Sequence, residues 1–305
     1  MKEIGQSLCL IRVYGKLRFS ITSIGLIVLL LSMSPLSCID ALYFGNSLTI
    51  DSSEYGTFVS PRLVSGGGNV YVVWDDKDNV YFRSVKQNGS EFGGTIIFGK
   101  SISSSGGPQI AATESGNVYV VWAETNNTSG DNDIIFRASA NHGDNFGNSR
   151  KLSRDTDVSS FSPKMAATES GNVYVVWAET NNTSGESRIV FRGSANHGDN
   201  FGRKVLYTYS DPNLDPSPQI SATESGNVYV VWRSDGLHFM EIGDRGKLFA
   251  GRIILSDYVS EFHDPLVTET KSGVFYLLWI DKVPTSELVK LNLKRVSEFY
   301  IPRSQ

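Results

Sequence analysis

The chain has 305 residues, with 28 basic against 32 acidic side chains for a formal charge of −4, and is 40% hydrophobic with 29 glycines and 10 prolines. A balanced charge argues against a nucleic-acid binder, and this content of apolar and turn residues fits a globular chain rather than a disordered one. Only two cysteines occur, Cys9 and Cys38, so the remainder can build neither a disulfide framework nor a thiolate zinc site.

Lys2, Arg12, Lys16 and Arg18 precede an apolar run at 24–33 (IGLIVLLLSM), which leads into small residues and Pro35. A positive flank, about ten apolar residues and a small-residue exit read as a secretory signal. The run is short for a membrane span, which needs about 20 residues, so an uncleaved anchor is the runner-up. Residues 1–41 are thus expected to be a signal peptide or anchor, and 42–305 one exported domain, secreted or held at the cell surface. Removing 1–41 takes four of the 28 bases and two of the 32 acids, which leaves a net charge of −6. Sequons at Asn88, Asn126, Asn127, Asn181 and Asn182 suit a glycosylated surface protein.

The rest is a repeat. NVYVVW occurs at 69–74, 117–122, 172–177 and 227–232, with VFYLLW at 274–279, and each copy ends on a tryptophan: Trp74, Trp122, Trp177, Trp232 and Trp279. Each is preceded by a short segment opened by proline (Pro61, Pro108, Pro163, Pro218, Pro265). Each is followed by a loop, a third strand such as IIFRAS at 134, a glycine-rich turn and a fourth strand. Four short strands per roughly 50 residues read as one propeller blade. Second strands that are apolar throughout, rather than alternating, expect cover on both faces. The expected fold is an all-β propeller of about five four-stranded blades, near 61–100, 108–153, 163–208, 218–256 and 264–301. A β-solenoid or sandwich with duplicated segments is the competing architecture. FGNSLTI at 44–50 matches FGNSRKL at 146–152. It would therefore supply the fourth strand of the last blade and close the ring, with 298–301 as a rival for that place.

The turn before the fourth strand carries a family resemblance. Ser139, Asn141, Gly143 and Phe146, and again Ser194, Asn196, Gly198 and Phe201, resemble the Asp-boxes of sialidases and other bacterial-neuraminidase-repeat proteins. Asn stands here for the usual Asp, and Asn145 and Asn200 for the usual Thr. The fourth repeat keeps Asp244, Gly246 and Phe249. The resemblance implies a propeller in which the boxes are structural: a short polar side chain bonds the turn, glycine takes a positive φ, and the aromatic tucks between strands. It also implies what a sialidase would need, namely three converging arginines, a Tyr–Glu nucleophile pair and an Asp acid/base. No Phe/Tyr-Arg-Ile-Pro motif precedes the first box. Arg83, Arg137 and Arg192 recur at equivalent places and read as outward-facing strand charges. Arg62, Lys164, Arg233, Arg252 and Arg295 are the cations that would have to converge, and Tyr207, Tyr209 and Tyr258 are unrepeated loop tyrosines.

On the face opposite the boxes an acid recurs two residues beyond the tryptophan: Asp76, Glu124, Glu179 and Asp281, with Ser234 and then Asp235 in the fourth repeat. Linking segments add Asp51, Asp155, Asp157, Asp211, Asp215 and Asp264. With Arg233 the recurring acids form the candidate ligand face. Carboxylates there would hydrogen-bond sugar hydroxyls or hold Ca²⁺, although no cofactor is evident and no EF-hand spacing occurs. The alternative is that the acids solubilise strand ends over tryptophans buried between blades. Function therefore reads as a non-enzymatic binding module for glycans or a surface protein, in contact with membrane only through its amino-terminal segment. The rivals are a sialidase-like glycosidase and a structural envelope component.

Overall fold

The computed structural model describes residues 47–52, 58–76, 78–86, 89, 91–101, 107–126, 128–153, 156–209, 216–243, 245, 248–249, 251–256, 264–270, 274–282 and 289–296. Contacts divide the chain into Met1–Leu48 and Thr49–Gln305, and every described strand belongs to the second unit.

Among the described residues twenty strands form five antiparallel sheets, and no α-helix occurs. The first sheet holds β1 (Val59–Gly66), β2 (Asn69–Asp75), β3 (Asn79–Val85) and β4 (Ile96–Lys100). The second holds β5 (Gln109–Ala112), β6 (Val118–Thr125), β7 (Asn132–Ser139) and β8 (Arg150–Lys151). β9 (Val158–Ala167), β10 (Val173–Asn181), β11 (Ser187–Ser194) and β12 (Lys204–Tyr209) make the third. The fourth comprises β13 (Gln219–Ala222), β14 (Val228–Arg233) and β15 (Leu237–Gly243), with β16 (Leu248–Phe249) and β17 (Ile253–Ser256) both paired to β15. The fifth is β18 (Leu266–Glu269), β19 (Phe275–Lys282) and β20 (Val289–Val296). Residues 47–50 form no strand, 44–46 and 298–301 lie outside the described residues, and β20 has no fourth partner among the described residues.

The prolines do not open their strands in the first and third sheets. β1 and β9 run through Pro61 and Pro163, each of which falls at a break in register with the second strand. A bulge is where a strand tolerates a residue without an N–H.

Consecutive sheets pack face to face through four apolar clusters. Tyr71 and Val73 meet Val118, Val120 and Trp122; Tyr119 and Val121 meet Val173, Val175 and Trp177. The pattern repeats from the third sheet to the fourth and from the fourth to the fifth. A second strand thus buries alternate residues against opposite neighbours, which is why it is apolar at every position. The outer faces of the terminal sheets remain open: Leu63 is 74% exposed on the first, and Leu291 and Leu293 are 70% and 67% exposed on the last.

In each of the first four sheets one end carries the turn between its first two strands and the turn after its third; this is the turn face. Hairpins between second and third strands and the links between sheets share the opposite, linker face. On the turn face, Ser139 Oγ accepts the N–H of Gly143 at 3.0 Å and donates to Asn141 Oδ1, which in turn accepts the N–H of Asn145. The copy at Ser194–Asn200 is bonded in the same way. Phe146 and Phe201 reach into the preceding sheet, edge-on to Phe82 and Phe136. Asp244 and Gly246 lie outside the described residues, and of Phe249 only its place in β16 is described.

Each such turn rests on the first turn of its own sheet, with the N–H of His142 on the Gly116 carbonyl and that of His197 on Gly171. Gly171 has φ 82, and a Cβ there would stand 2.3 Å from the His197 ring, so only glycine fits beneath the imidazole. A chain of glutamates links the sheets. Glu114 accepts the N–H of Gly67, Glu169 that of Glu114 and Glu224 that of Glu169. Each carboxylate therefore bonds the turn of the preceding sheet. A charge-assisted bond of this kind contributes about 1 kcal/mol at an exposed site. Glu169→Ala is expected to lower the unfolding free energy by about that amount in urea titration, and an unchanged midpoint would show that the latch carries no load.

Candidate functional site

On the linker face the recurring acids turn back onto their own tryptophans. Trp122 Nε1 donates to Glu124 at 3.2 Å, Trp177 Nε1 to Glu179 at 2.8 Å and Trp279 Nε1 to Asp281 at 2.9 Å. Residues i and i+2 of a strand project to one side, so an acid two places on is the nearest acceptor for a buried indole N–H. Asp281 also accepts from Ser256 and Asn292. Asp76 differs: it accepts the N–H groups of Asp78 and Asn79 and the hydroxyl of Tyr81, while Trp74 Nε1 is buried without a partner.

The two identical twenty-residue segments, 111–130 and 166–185, carry acids in opposite surroundings. Glu124 faces Asp133 across the strands, and burial, with Asp133 adding to it, pushes its carboxyl above the ordinary range. Asp133 is itself bonded by Ser153 and Lys151. Glu179 is fully buried and faces Arg188; Arg188 Nε and Arg203 both reach its Oε2 at 2.9 Å. Arg188 and Arg203 stand where the second sheet has Asp133 and Asn148. Comparison of the near-copies carries the signal for this pair, because the two arginines appear together opposite an unchanged acid.

The other cations do not gather. Arg233, 8% exposed, lies 3.5 Å from Asp264, and Arg252 lies over the Tyr207 ring at 4.4 Å. Arg62 and Lys164 are on the first strands of their sheets, whereas Arg295 is on β20, the last strand of its sheet. Arg192 is buried, against the expectation of an outward charge; Arg83 and Arg137 bond the Gly93 and Gly147 carbonyls. Tyr207 and Tyr209 belong to β12 rather than a loop, because their rings pack toward the fourth sheet; Tyr258 lies outside the described residues. Asp155, Asp211 and Asp215 also lie outside the described residues, and Asp51 and Asp157 are exposed. Among the described residues no three His, Cys, Asp or Glu side chains gather for a metal ion.

Two groups on this face escape the repeat pattern. Asp75, where the second and third repeats have Ala123 and Ala178, is fully buried and bonded by Ser101 at 2.6 Å, with Oδ1 unpartnered. Burial, only partly offset by Ser101, raises its carboxyl. In the fourth sheet, Trp232 lacks an acid two places on and stacks against His238 at 5.4 Å. His238 Nε2 and the Tyr207 hydroxyl both meet the exposed Asp235, at 2.8 and 3.3 Å.

The turn face holds a cavity of about 770 Å³ between the second and third sheets. Asn117, Tyr119, Asn141, Asn145, Asn148 and His197 are among its walls. Nothing in the repeat pattern marked it, since its walls come from two sheets. Burial, with Glu169 adding to it, pushes the Tyr119 phenol up to about 12.

No protein-family model matches the chain, and no curated protein matches it in sequence. Solved structures do match in fold. A protein of unknown function from Dyadobacter fermentans aligns over 81% of this chain and 78% of its own, with a TM-score of 0.55 and 13% identity. An intramolecular trans-sialidase from leech aligns over 85% and 64%, with a TM-score of 0.52 and 10% identity. The polysaccharide lyase Uly1 aligns over 78% and 58%, with a TM-score of 0.50 and 12% identity. The chain thus spans less than two thirds of the latter two. The shared property is the β-propeller fold.

Glu179→Ala strands two arginines and an indole and should cost about 3 kcal/mol, whereas Glu124→Ala should cost about 1; equal losses in denaturant titration would refute the contrast. For Asp75, the folded chain holds more protons than the unfolded one above the ordinary pKa, so stability falls as pH rises through the raised value. Asp75→Asn should flatten that fall and match or exceed the parent at neutral pH. A variant with the parent's slope would exclude Asp75 as its source.

Proposed function

We propose that the protein is an exported propeller that recognises glycans on its linker face and does not cleave them. The observation that carries this reading is the engagement of Glu179 by Arg188 and Arg203: the paired arginines that would anchor a substrate carboxylate already hold one from the chain itself. The fold shared with a trans-sialidase and a polysaccharide lyase supports a glycan rather than a protein ligand. Asp76, Glu124, Asp281 and Arg233 are the proposed contact residues, Glu179 a positioning residue beneath them, and the amino-terminal segment the export signal or anchor. Ca²⁺ would act here only by joining these half-buried acids to sugar hydroxyls.

A second reading, glycoside hydrolysis, has one observation in its favour. A carboxyl raised by burial and by a neighbouring acid, as Glu124 is beside Asp133, is what a general acid requires. Full-length protein tested with a fluorogenic sialoside, with and without Ca²⁺, is expected to show no turnover above a heat-killed control. On a glycan array it is expected to bind, and the double variant Asp76→Asn, Glu124→Gln should weaken that binding about tenfold, the loss of one or two hydrogen bonds. Turnover abolished by Glu124→Gln would establish the hydrolase instead.

A further inference from the structure

The turn-face cavity lies outside the linker face and the acid set. Its volume of about 770 Å³ falls within the span of small-ligand sites, about 300–1,000 Å³. Tyr119 Oη and His197 Nδ1 share a hydrogen bond of 3.0 Å across the two sheets and fix the inner wall. Asn117, Asn141, Asn145 and Asn148 also line it, whereas the ring of Phe146 packs away from it, on Phe82 and Phe98 of the first sheet. At the edge, Arg150 bonds both the carboxylate of Asp199, at 2.8 Å, and its backbone carbonyl. The one arginine of the lining is therefore neutralised by the one acid. What remains is a set of uncharged donors and acceptors.

We infer that this cavity is a second glycan site, selective for a neutral saccharide. Carboxamides present both donors and acceptors to hydroxyl and acetamido groups. A carboxylated sugar finds no unpaired cation, because Arg150 would have to give up Asp199. Asn145 and Asn148 are exposed at the rim, and Ala140 projects from the same turn without a part in its hydrogen bonds.

Full-length protein titrated with lactose, N,N′-diacetylchitobiose and 3′-sialyllactose, by calorimetry and amide NMR shifts, tests the assignment. The expected result is saturable binding of at least one neutral disaccharide, with shifts at Tyr119, His197 and residues 138–150. Asn145→Ala with Asn148→Ala should weaken it about tenfold, and Ala140→Trp should abolish it by filling the cavity. The rim variant alone is decisive should the tryptophan variant fail to fold. Failure of both neutral sugars to saturate, binding indifferent to the rim variant, or tighter binding of sialyllactose would each overturn the assignment. Glycan binding lost in the linker-face variant and retained in the rim variant would overturn it while leaving the proposed function intact.

Discussion

The structure depends on a strand held between two sheets that must still end in a tryptophan. Tyr174, Val175, Val176 and Trp177 are all fully buried, half facing the second sheet and half the fourth. Such burial is favourable for every apolar atom and costly for one group, the indole N–H, which needs an acceptor where water does not reach. Placing an acid two residues on solves this within the strand. The recurrence of acids on the linker face results from that requirement in the second, third and fifth sheets.

Where the solution is absent, the local chemistry changes. Trp232 has no acid partner, and His238 stacks on it with Asp235 at its far nitrogen. In the first sheet, Asp76 is drawn into a turn with Tyr81, and Trp74 stacks on the Tyr81 ring at 5.6 Å. These exceptions, with the Arg188–Glu179–Arg203 cluster, break the symmetry of otherwise repeated sheets. A propeller built of near-copies acquires distinct sites only where the copies diverge, and the divergence here lies in and beside the third strands and at Asp75 and Arg233, which end second strands.

Much of the fold was legible because burial on both faces leaves a run such as NVYVVW with no polar position. The serine–asparagine turns were legible too, since each is bonded within eight residues. The bulges at Pro61 and Pro163 were not, because a strand continuing through proline shows only in its register with a neighbour. Burial of Arg192 was likewise hidden: the residue looks like Arg83 and Arg137 in sequence, and its environment is set by the sheet beside it. The acids were found by their spacing, but spacing could not say that Glu179 is buried between two arginines while Glu124 faces Asp133. The turn-face cavity left no trace in any one repeat, because its walls belong to two.

The chain therefore presents two dissimilar ends of one stack of sheets: a linker face whose charges are largely committed to the fold, and a turn face with an uncharged cavity. Recognition without cleavage is what distinguishes this reading from that of a glycosidase. It can be tested by incubating the full-length protein with a mixed pool of released sialylated and neutral glycans, followed by mass spectrometry of the retained and free fractions. Glycans retained at unchanged mass are the expected result. Shortened or desialylated products accumulating with time would contradict it.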